Sequence, residues 1–501
     1  MHSGKGNLFI TGKAGTGKST LLEHYRAHAE RKPVVLAPTG VAALNVGGQT
    51  IHRFFRFGID VTPLKLRASR KRPRNANLYR NLQTIIIDEV SMVRADLLDC
   101  VDVFLRKHGP RRRQPFGGVQ MIFVGDLYQL PPVVTGEERE IFRTLYDTPY
   151  FFSAKALRSA NLEIIELEKV YRQKDSRFVE ILNHVRNDTV DEADIAALNA
   201  RLDPSYTPAA GEFCVTLTTT NRNADAINDK KLESLPGKTL VSVAEIEGDF
   251  GREYHPTAVD LAIKPGAQIM LLNNDAEHRW VNGSIGTIKS IQQPKSGQPT
   301  VIARLNDGDS LVEVEPHVWE LIRFTLENGQ IATERIGRFR QLPLRLAWAV
   351  TIHKSQGKTF DNIVVDLERG AFAAGQTYVA LSRCTSLDGI VLKRPITDKS
   401  IRADWRVCKF FTTHWWRESE KSMPLEAKIR VIEKAIAKSQ RIEMTYLKPD
   451  DTRSERTILP QSVGSESYRG KEFLGMQAFC LLRQDKRMFR VDRILRLATV
   501  D

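Results

Sequence analysis

The sequence predicts an α/β protein in which parallel sheets are extended by two β-rich segments. Short apolar runs that end in polar loops, such as Val34–Ala37, Thr84–Ile87 and residues 119–124, are typical of buried parallel strands. In contrast, residues 236–335 and 425–501 contain several short strands separated by turns, which indicates small antiparallel barrels. A chain of 501 residues is also long for one core, so about three or four domains are expected.

The first predicted strand is followed by a loop that is suited to phosphate. Residues 12–20 read Gly-Lys-Ala-Gly-Thr-Gly-Lys-Ser-Thr, between an apolar run and a stretch with helical spacing. Such glycines let the backbone turn tightly and direct N–H groups at phosphate oxygens beside a helix N-terminus. Lys18 adds a positive charge for the β- and γ-phosphates, and the Ser19 hydroxyl is a ligand for Mg²⁺. The predicted nucleoside triphosphate site comprises Gly12, Ala14, Gly15, Thr16, Gly17, Lys18, Ser19 and Thr20.

Polar residues follow two further predicted strands. Asp88 and Glu89 come directly after Thr84–Ile87, at the strand end where α/β sheets place their active sites. Asp88 is suited to holding Mg²⁺, and Glu89 to orienting and polarising the water that attacks the γ-phosphate. The amide of Gln129, after residues 119–124, is able to sense that phosphate or the water, or it merely caps a loop.

Composition narrows the class of protein. The net charge of +14 suits a polyanionic partner, although a solvated basic surface gives the same number. The five cysteines are scattered and form no Cys-x-x-Cys pair, which argues against a disulfide framework or a zinc site. No apolar run reaches the length of a membrane span, so we expect a soluble, cytoplasmic protein without a signal peptide.

Other residues suit a second lobe and a nucleic acid. A guanidinium from a neighbouring domain neutralises the charge of phosphoryl transfer, and Arg172 and Arg383 are the candidates. Gln356 and Gly357 are candidates to report on the nucleotide. Basic residues accumulate between 57 and 82, where DNA contact and a solvated face are equally open. Several residues are candidates to contact a nucleic acid, although packing or an ordinary polar loop also explains each of them. They are Thr39, Gly40, His52, Phe54, His353, Lys354 and Ser355.

Taken together, the motifs resemble those of superfamily-one DNA helicases, and more narrowly those of the petite-integration-frequency helicases. The matching stretches are the phosphate loop, Ala-Pro-Thr-Gly-Val-Ala-Ala, Ile-Asp-Glu-Val-Ser-Met, Gly-Asp-Leu-Tyr-Gln-Leu-Pro-Pro-Val, Tyr-Arg-Gln, His-Lys-Ser-Gln-Gly and Tyr-Val-Ala-Leu-Ser-Arg. Residues 91–118 resemble the signature region of that family, and the resemblance covers residues 7 to about 395. It does not extend to the adenine-reading glutamine upstream of the phosphate loop, which has no counterpart before Gly12.

The resemblance implies two RecA-like lobes with ATP and Mg²⁺ between them and 5′-to-3′ movement along single-stranded DNA. It places Lys18, Ser19, Asp88, Glu89 and Gln129 on one side of the ATP and Arg172 and Arg383 on the other. The DNA-binding residues that it implies are Pro38, Thr39, Gly40, Val41, His52, Phe54, Asn282, His353, Lys354 and Ser355.

The expected domain organisation follows from the same comparison. Lobe 1 is expected at residues 1–160, with a basic insertion at about 56–82, and lobe 2 at 161–235 and 336–418. Residues 236–335 are expected to form an SH3-like barrel inserted into lobe 2, although a purely structural insertion is also open. A polar linker is expected at 419–424.

Residues 425–501 resemble a WYL domain, best through Phe-Arg-Val-Asp-Arg-Ile and Cys-Leu-Leu-Arg. That family implies binding of a nucleic acid or a nucleotide-like regulator. The candidate ligand residues, for which salt bridges to Asp485 and Asp492 are the alternative, are Arg483, Arg487, Arg490 and Arg493.

The sequence thus predicts a monomeric, ATP-driven DNA helicase acting on single-stranded DNA and on tailed or structured duplexes, with no membrane partner. Two other functions share its motifs. One is a DNA-stimulated ATPase that displaces bound proteins without separating strands. The other is a nucleic-acid-binding regulator in which the WYL domain is the working part, but the intact Lys18, Glu89, Arg172 and Arg383 argue against it.

Overall fold

The computed structural model describes residues 6–58, 60–134, 142, 144–209, 212–294, 297–306, 310–367, 370, 373–448, 453–468 and 471–500. The chain divides into two compact units, residues 1–402 and 403–501. All residues predicted to bind ATP, Mg²⁺ or single-stranded DNA belong to the first unit, and the four candidate arginines of the WYL-like domain belong to the second.

Lobe 1 is built on six parallel strands in the order β3-β2-β4-β5-β1-β6. The strands are β1 (Asn7–Gly12), β2 (Val34–Ala37), β3 (Gln49–Thr50), β4 (Thr84–Ile87), β5 (Gln120–Val124) and β6 (Leu162–Leu167). The helices are α1 (Lys18–His28), α2 (Gly40–Asn45), α3 (Ile51–Phe55), α4 (Pro63–Ala68), α5 (Ala76–Arg80) and α6 (Ala95–His108). The predicted strands before the phosphate loop, Asp88 and Gln129 are confirmed, and parallel pairing brings their carboxyl ends to one edge of the sheet.

The predicted domain boundary at residue 160 assigned strand β6 to lobe 2. In the structure, β6 belongs to the sheet of lobe 1. It pairs in parallel with β1 over six residues, from Asn7 opposite Leu162 to Gly12 opposite Leu167. Its half-exposed, mixed polar and apolar side chains suit the edge position that it takes in the first sheet. The chain therefore crosses to lobe 2 only after Leu167.

The basic segment between residues 56 and 82 contains the two short helices α4 and α5. The Lys107 ammonium on α6 donates to the carbonyl oxygens of Leu66, Arg67 and Ser69, at 2.6, 2.7 and 3.2 Å. These carbonyls end α4 and have no partner within the helix, so the lysine both caps α4 and ties it to α6.

Lobe 2 begins with α7 (Ser176–Asn187), α8 (Glu192–Asn199), β7 (Val215–Thr218) and α9 (Asn221–Ser234). The first two helices have side-chain caps. Asp175 accepts a hydrogen bond from the Arg177 amide, and Asp191 and Asp194 form a capping box at α8.

A β-rich insertion then interrupts the lobe. Its strands are β8 (Leu240–Val243), β9 (Glu245–Gly248), β10 (Asp260–Ile263), β11 (Gln268–Leu271), β12 (Ile285–Gln292), β13 (Thr300–Leu305), β14 (Leu311–Val314), β15 (His317–Glu327), β16 (Gln330–Gln341) and β17 (Leu344–Leu346). The main antiparallel sheet has the order β14-β13-β12-β11-β17, and the long β15–β16 hairpin pairs with β9. The insertion extends past its predicted end at residue 335, because β16 completes the hairpin and β17 pairs with β11.

The chain then returns to lobe 2 with β18 (Ala349–Thr351), β19 (Ile363–Asp366), α10 (Gln376–Leu381) and β20 (Ile390–Leu392). The second parallel sheet has the order β18-β7-β19-β20. Its core buries apolar residues from both parts of the lobe, including Phe178, Leu217, Val365 and Val379. The insertion therefore leaves the parallel sheet continuous.

The second unit contains two helices and five antiparallel strands. The elements are α11 (Trp405–Ser422), α12 (Leu425–Ala437), β21 (Arg441–Leu447), β22 (Arg453–Tyr468), β23 (Lys471–Cys480), β24 (Asp485–Arg490) and β25 (Ile494–Val500), with the sheet order β24-β23-β22-β21-β25. Residues 419–422, expected in a linker, are helical, and the Ser419 hydroxyl donates to the Ile494 carbonyl. Helix α11 is thereby joined to the sheet of its own unit.

Among the residues that the structure describes, each helix is too short or too polar to cross a lipid bilayer.

Gly375 allows a close approach between the two lobes. It precedes α10 with a φ of 74°, and a Cβ there would lie 2.3 Å from the Tyr128 carbonyl oxygen and 2.6 Å from that of Gln129. Because both the backbone conformation and the space exclude a side chain, Gly375→Ala is expected to lower the free energy of unfolding of the first unit by about 2 kcal/mol.

Urea denaturation followed by circular dichroism measures this loss. Gly6→Ala is the matched control, since its Cβ would come no closer than 3.7 Å to a neighbouring atom and its φ is ordinary. That variant is expected to change stability by at most about 1 kcal/mol. Equal stability of the two variants would contradict the close approach at Gly375.

Candidate nucleotide site and nucleic-acid interface

The phosphate loop has the backbone that its glycines predict. Gly15 and Gly17 have φ values of 78° and 80°, and α1 begins at Lys18. The Lys18 ammonium donates to the carbonyl oxygens of Gly12 and Lys13 at 2.8 and 2.9 Å, so it lies against the loop. Burial lowers the pKa of Lys18, and nearby carboxylates offset part of this effect. A negatively charged phosphate at this position would compensate the buried ammonium.

Residues from beyond lobe 1 close directly on this loop. The Tyr171 amide donates to the Gly15 carbonyl at 2.9 Å, and a Cβ on Gly15 would lie 2.6 Å from the Cβ of Arg172. Position 15 therefore excludes any larger residue for two reasons, its positive φ and this contact. The Tyr-Arg-Gln motif is held against the loop rather than across an open cleft.

Arg172 lies beside the loop, and Arg383 is close enough to Lys18 to affect its pKa. Arg172 donates to the Ser382 carbonyl at 3.1 Å, and Arg383 is 1 % exposed. Burial and, next, the charge of Arg172 lower the pKa of Arg383 to about 9. Arg383 also interacts electrostatically with Lys18 and Glu89. Three cations thus meet in one buried region, which is unfavourable unless an anion joins them.

The two predicted carboxylates lie at the carboxyl end of β4. The Asp88 amide donates to the Leu36 carbonyl at 2.9 Å, which continues the sheet pairing, and burial raises the pKa of the Asp88 side chain. Glu89 has a φ of 49°, an uncommon conformation for a residue other than glycine. Burial and then the Asp88 charge raise the pKa of Glu89 to about 7, although Lys18 and Arg383 oppose this rise. A carboxyl group with this pKa is suited to exchange a proton near neutral pH.

A buried network of hydrogen bonds and an ion pair lies under the loop, and the sequence did not predict it. The Tyr378 hydroxyl on α10 accepts a hydrogen bond from the Ala14 amide at 2.9 Å and lies 3.4 Å from Asp126 Oδ2. Arg186 on α7 forms an ion pair with Asp126 Oδ1 at 3.1 Å, and its guanidinium stacks 4.0 Å from the Tyr128 ring centroid. The Ala14 amide, predicted to face phosphate, is therefore already used by lobe 2.

Three of these residues lay within recognised motifs, yet the sequence offered no sign of their pairing. Asp126 and Tyr128 precede Gln129 in the Gly-Asp-Leu-Tyr-Gln motif, and Tyr378 precedes Arg383 in the Tyr-Val-Ala-Leu-Ser-Arg motif. Arg186, in contrast, occurs in an ordinary amphipathic helix. Only a count of buried charges that need a partner would have pointed to Asp126 and Arg186.

Gln129 and Gln356 differ in what surrounds them. Gln129 is 8 % exposed, in the loop that Gly375 approaches. Gln356 lies in the turn after β18, and its Nε2 is buried with no hydrogen-bond partner among the described residues. An unsatisfied buried donor of this kind is expected where a ligand completes the site. Gly357, next to it, has a φ of 77° and nothing within 4 Å of its missing Cβ.

Most of the predicted DNA-binding residues line two cavities that share Thr39 in their walls. The central cavity, of about 810 Å³, lies between the lobes and the insertion, and Glu89 and Gln356 also line it. The predicted residues in its wall are Thr39, Val41, Asn282, His353 and Lys354. The arginine cavity, of about 1150 Å³, lies between lobe 1 and the insertion, and its wall includes Pro38, Thr39, Gly40, His52 and Phe54.

The arginine cavity is named after four cations that line it. They are Arg53, Arg56, Arg74 and Arg323. Arg53 forms an ion pair with Asp249 at 2.6 Å, and Gln49 donates to the Ile322 carbonyl at 2.5 Å, so lobe 1 and the insertion touch across the cavity. Thr50 and Tyr254 share a hydrogen bond of 2.8 Å in the same region.

Two predicted DNA contacts have structural roles in the described conformation. The Phe54 side chain is 4 % exposed and packs edge-on against Phe55, Tyr79 and Phe324. Ser355 is fully buried, and its hydroxyl donates to the Ile352 carbonyl at 2.8 Å. Ser355 therefore supports the site from within, whereas Phe54 packs in an aromatic cluster and also forms part of the wall of the arginine cavity.

The four candidate arginines of the second unit do not form one cluster. Arg490 forms a salt bridge with Asp492 at 2.6 Å, which is the alternative to ligand binding given above. Arg493 donates to the carbonyl oxygens of Leu447 and Lys448. Arg487 and Arg490 are three residues apart on β24 and so face opposite sides of the sheet. Arg483 and Arg487 are exposed, and within the described residues neither forms an ion pair.

The Arg186–Asp126 ion pair is expected to stabilise the closed site. Arg186→Met leaves a buried carboxylate without its cation, so the free energy of unfolding should fall by about 3–5 kcal/mol in chemical denaturation. The control is Arg158→Met, whose pair with Asp147 is exposed and 3.7 Å long, and it should cost less than about 0.5 kcal/mol. An equal, small loss in both variants would show that the buried pair contributes nothing.

Comparisons with known proteins agree with this architecture. The model of the PIF1-like helicase family matches residues 1–195, and that of the WYL domain matches residues 427–499. The ATP-dependent DNA helicase PIF1 of Mus musculus is 36% identical over 417 residues, which cover 81% of this chain and 60% of the mouse protein. The chain thus spans about three fifths of the length of the mammalian relatives that it matches.

Solved structures match over a larger share of their own length. Bacteroides sp Pif1 in complex with ADP-AlF4 is 34% identical, with a TM-score of 0.75, and the match covers 82% of this chain and 94% of that one. Pif1 helicase from Bacteroides in complex with ADP-AlF3 and ssDNA is 35% identical, with a TM-score of 0.59 and the same coverage. With its two parallel-sheet lobes, its phosphate loop and this degree of identity, the chain belongs to the family of PIF1-like helicases.

Proposed function

We propose that the chain is an ATP-dependent DNA helicase that translocates 5′-to-3′ on single-stranded DNA and unwinds tailed or structured duplexes. The observation that carries the proposal is the convergence of Lys18, Arg172 and Arg383 on one buried site, next to a cavity lined by Glu89. Three cations and a carboxylate with a raised pKa are the groups that phosphoryl transfer from a triphosphate requires.

The catalytic roles follow from chemistry and position. Glu89 accepts the proton of the attacking water, for which its pKa of about 7 is suited. Lys18, Arg172 and Arg383 neutralise the charge that develops on the γ-phosphate oxygens. Gln129 and Gln356 hydrogen-bond to the phosphate or to the water, and the unpartnered Nε2 of Gln356 supports this role.

The residues present also suit Mg²⁺. Asp88 supplies a carboxylate and Ser19 an exposed hydroxyl at the start of α1, and hard oxygen ligands of this kind are those that Mg²⁺ prefers. Bound there, the ion would neutralise charge on the β- and γ-phosphates.

The DNA strand is proposed to occupy the central cavity and the arginine cavity, which share Thr39 in their walls. The net charge of +14 and the four arginines of the second cavity support a polyanionic ligand. A related Bacteroides Pif1 has been crystallised bound to ssDNA. Because Glu89 and Gln356 line the same cavity as Lys354, a change in the nucleotide is able to alter the grip on DNA through lobe closure.

The remaining assignments rest on the family alone. The 5′-to-3′ direction, a monomeric active form, a cytoplasmic location and a nucleic-acid-binding or regulatory role for the WYL domain are proposed on that basis. One related structure is described as two coordinating Pif1 helicases at forked dsDNA, so the monomer is best tested by light scattering with and without a fork.

Glu89→Gln is expected to reduce DNA-stimulated ATP hydrolysis by about 10³-fold while DNA binding persists, because the amide accepts no proton from water. A coupled phosphate-release assay measures the rate, and fluorescence anisotropy measures DNA binding. The control is Glu23→Gln, an exposed glutamate on α1, which should hydrolyse ATP at the wild-type rate. Near-normal hydrolysis by the Glu89 variant would remove its assigned role.

Strand displacement distinguishes a helicase from a translocase that only displaces proteins. The full chain with ATP and Mg²⁺ is expected to separate a duplex with a 5′ tail and to leave a duplex with a 3′ tail intact. Streptavidin displacement from biotinylated single strands, run in parallel, reports translocation alone. Displacement of streptavidin with both duplexes intact would favour the translocase, and preference for the 3′ tail would reverse the proposed direction.

A further inference from the structure

The wall of the central cavity contains a group of cations that the function proposed above does not use fully. Arg345 on β17 and Lys354 and Lys358 in the turn after β18 all line it. Across the part of the chain that the structure describes, no carboxylate lies within 4 Å of any of their charged nitrogens. Among the described residues, Asp225, Asp229 and Asp260 line the same cavity, but none forms an ion pair with these three cations. An anion bound in the cavity would therefore compensate charge that the protein balances only in part.

Lys358 is held by the insertion rather than by a charge. Its ammonium donates to Asn282 Oδ1 at 2.5 Å, and its stem lies along Gly283, whose Cβ position is 3.4 Å from that of Lys358. Burial and, next, the charge of Arg345 lower the pKa of Lys358 to about 7. A single amide oxygen therefore compensates this group poorly, since an ammonium has three donors and only this one hydrogen bond is formed by it among the described residues.

Arg345 is also incompletely satisfied. Its Nη2 donates to the Pro256 carbonyl at 2.5 Å, but its Nε is buried without a hydrogen-bond partner among the described residues. Burial lowers the pKa of Arg345, and Asp225, the carboxylate that acts on it, only partly offsets the effect. A guanidinium with a donor left unsatisfied is suited to an oxyanion, because arginine forms strong, charge-assisted hydrogen bonds with phosphate.

We propose that Arg345 and Lys358 form a seat for one phosphate group of the single-stranded DNA in the central cavity, with Asn282 positioning Lys358. The inference rests on the proposed function and adds two residues that bind the strand. The neighbouring His353, Lys354 and Thr39 provide further donors along the same wall, which suits a continuous phosphate backbone better than an isolated anion.

The seat is joined to the nucleotide site through one stretch of backbone. Arg383 Nη1 lies 3.5 Å from the carbonyl oxygens of Ser355 and Lys358. The turn that carries the Lys358 side chain into the cavity thus contacts, on its other side, the arginine proposed to neutralise the γ-phosphate. Occupation of the seat is therefore expected to favour the arrangement of Arg383 that supports hydrolysis.

The test is the salt dependence of binding to a fluorescein-labelled dT oligonucleotide, measured with the full chain in the absence of nucleotide. On single strands each lost phosphate contact lowers the slope of log Kd against log salt by about 0.7. Lys358→Met and Arg345→Gln should each lower the slope by about this amount and weaken binding by about tenfold. The DNA concentration for half-maximal ATPase stimulation should rise in parallel, and Lys358→Arg should restore the slope.

Lys289→Met is the matched control, since Lys289 is exposed on β12 and lines neither cavity. It should leave the slope unchanged. A variant that is merely misfolded loses affinity without changing the slope, so Arg345→Gln, assessed separately, keeps the test decisive if Lys358→Met is unstable.

Three outcomes overturn the seat while the proposed function stands. In each, the wild type binds DNA and hydrolyses ATP in a DNA-dependent manner. The first is that the slopes of both variants equal that of the control. The second is that Lys358→Arg fails to restore the slope. The third is that the variants lose affinity for a fluorescent ATP analogue without DNA while the DNA slope is unchanged, which would assign the two cations to the nucleotide phosphates. Failure of the wild type itself to bind DNA would instead overturn the proposed function.

Discussion

The hydrogen bond from the Ala14 amide to the Tyr378 hydroxyl joins the phosphate loop to the second lobe, and the site depends on it. Tyr378 is fixed in turn by Asp126, and Asp126 by Arg186, so one buried chain of contacts runs from the loop through both lobes. Each member is nearly inaccessible to water, where an unpaired charge is costly. The lobes are therefore held in a defined relation at the point where a triphosphate would lie.

This arrangement has an electrostatic consequence. By closing on the loop, lobe 2 brings Arg172 and Arg383 to the side of Lys18, and burial lowers the pKa of all three cations. The carboxylates of Asp88, Glu89 and Asp126 balance only part of this charge. A bound triphosphate would complete the balance, and its loss after hydrolysis would restore the repulsion that opposes closure. We therefore expect charge to link lobe closure to the nucleotide state.

The same turn serves both ligands in the function proposed here. Its backbone carbonyls, at Ser355 and Lys358, face Arg383, whereas the Lys358 side chain and Gln356 face the central cavity. The insertion reaches this turn through Asn282 and reaches lobe 1 through Asp249 and Tyr254. The β-rich insertion therefore contributes residues to the walls of both cavities along which a DNA strand is proposed to pass.

Local pattern was enough to predict the strands before the phosphate loop and the carboxylates after β4, because spacing along the chain and the geometry of parallel strands determine both. The sequence also indicated Arg172 and Arg383 as candidates to contact the triphosphate, but only because they occur in recognised motifs. The pairing of Ala14 with Tyr378, 364 residues away, and of Asp126 with Arg186 arises from the docking of two lobes, which no local spacing encodes. The edge position of β6, the burial of Phe54 and Ser355 and the separation of the four WYL arginines were likewise decided by tertiary packing. Sequence alone determined which chemical groups the protein has, and the three-dimensional structure decided which of them meet, since buried charges and hydrogen bonds are satisfied by neighbours in space rather than in sequence.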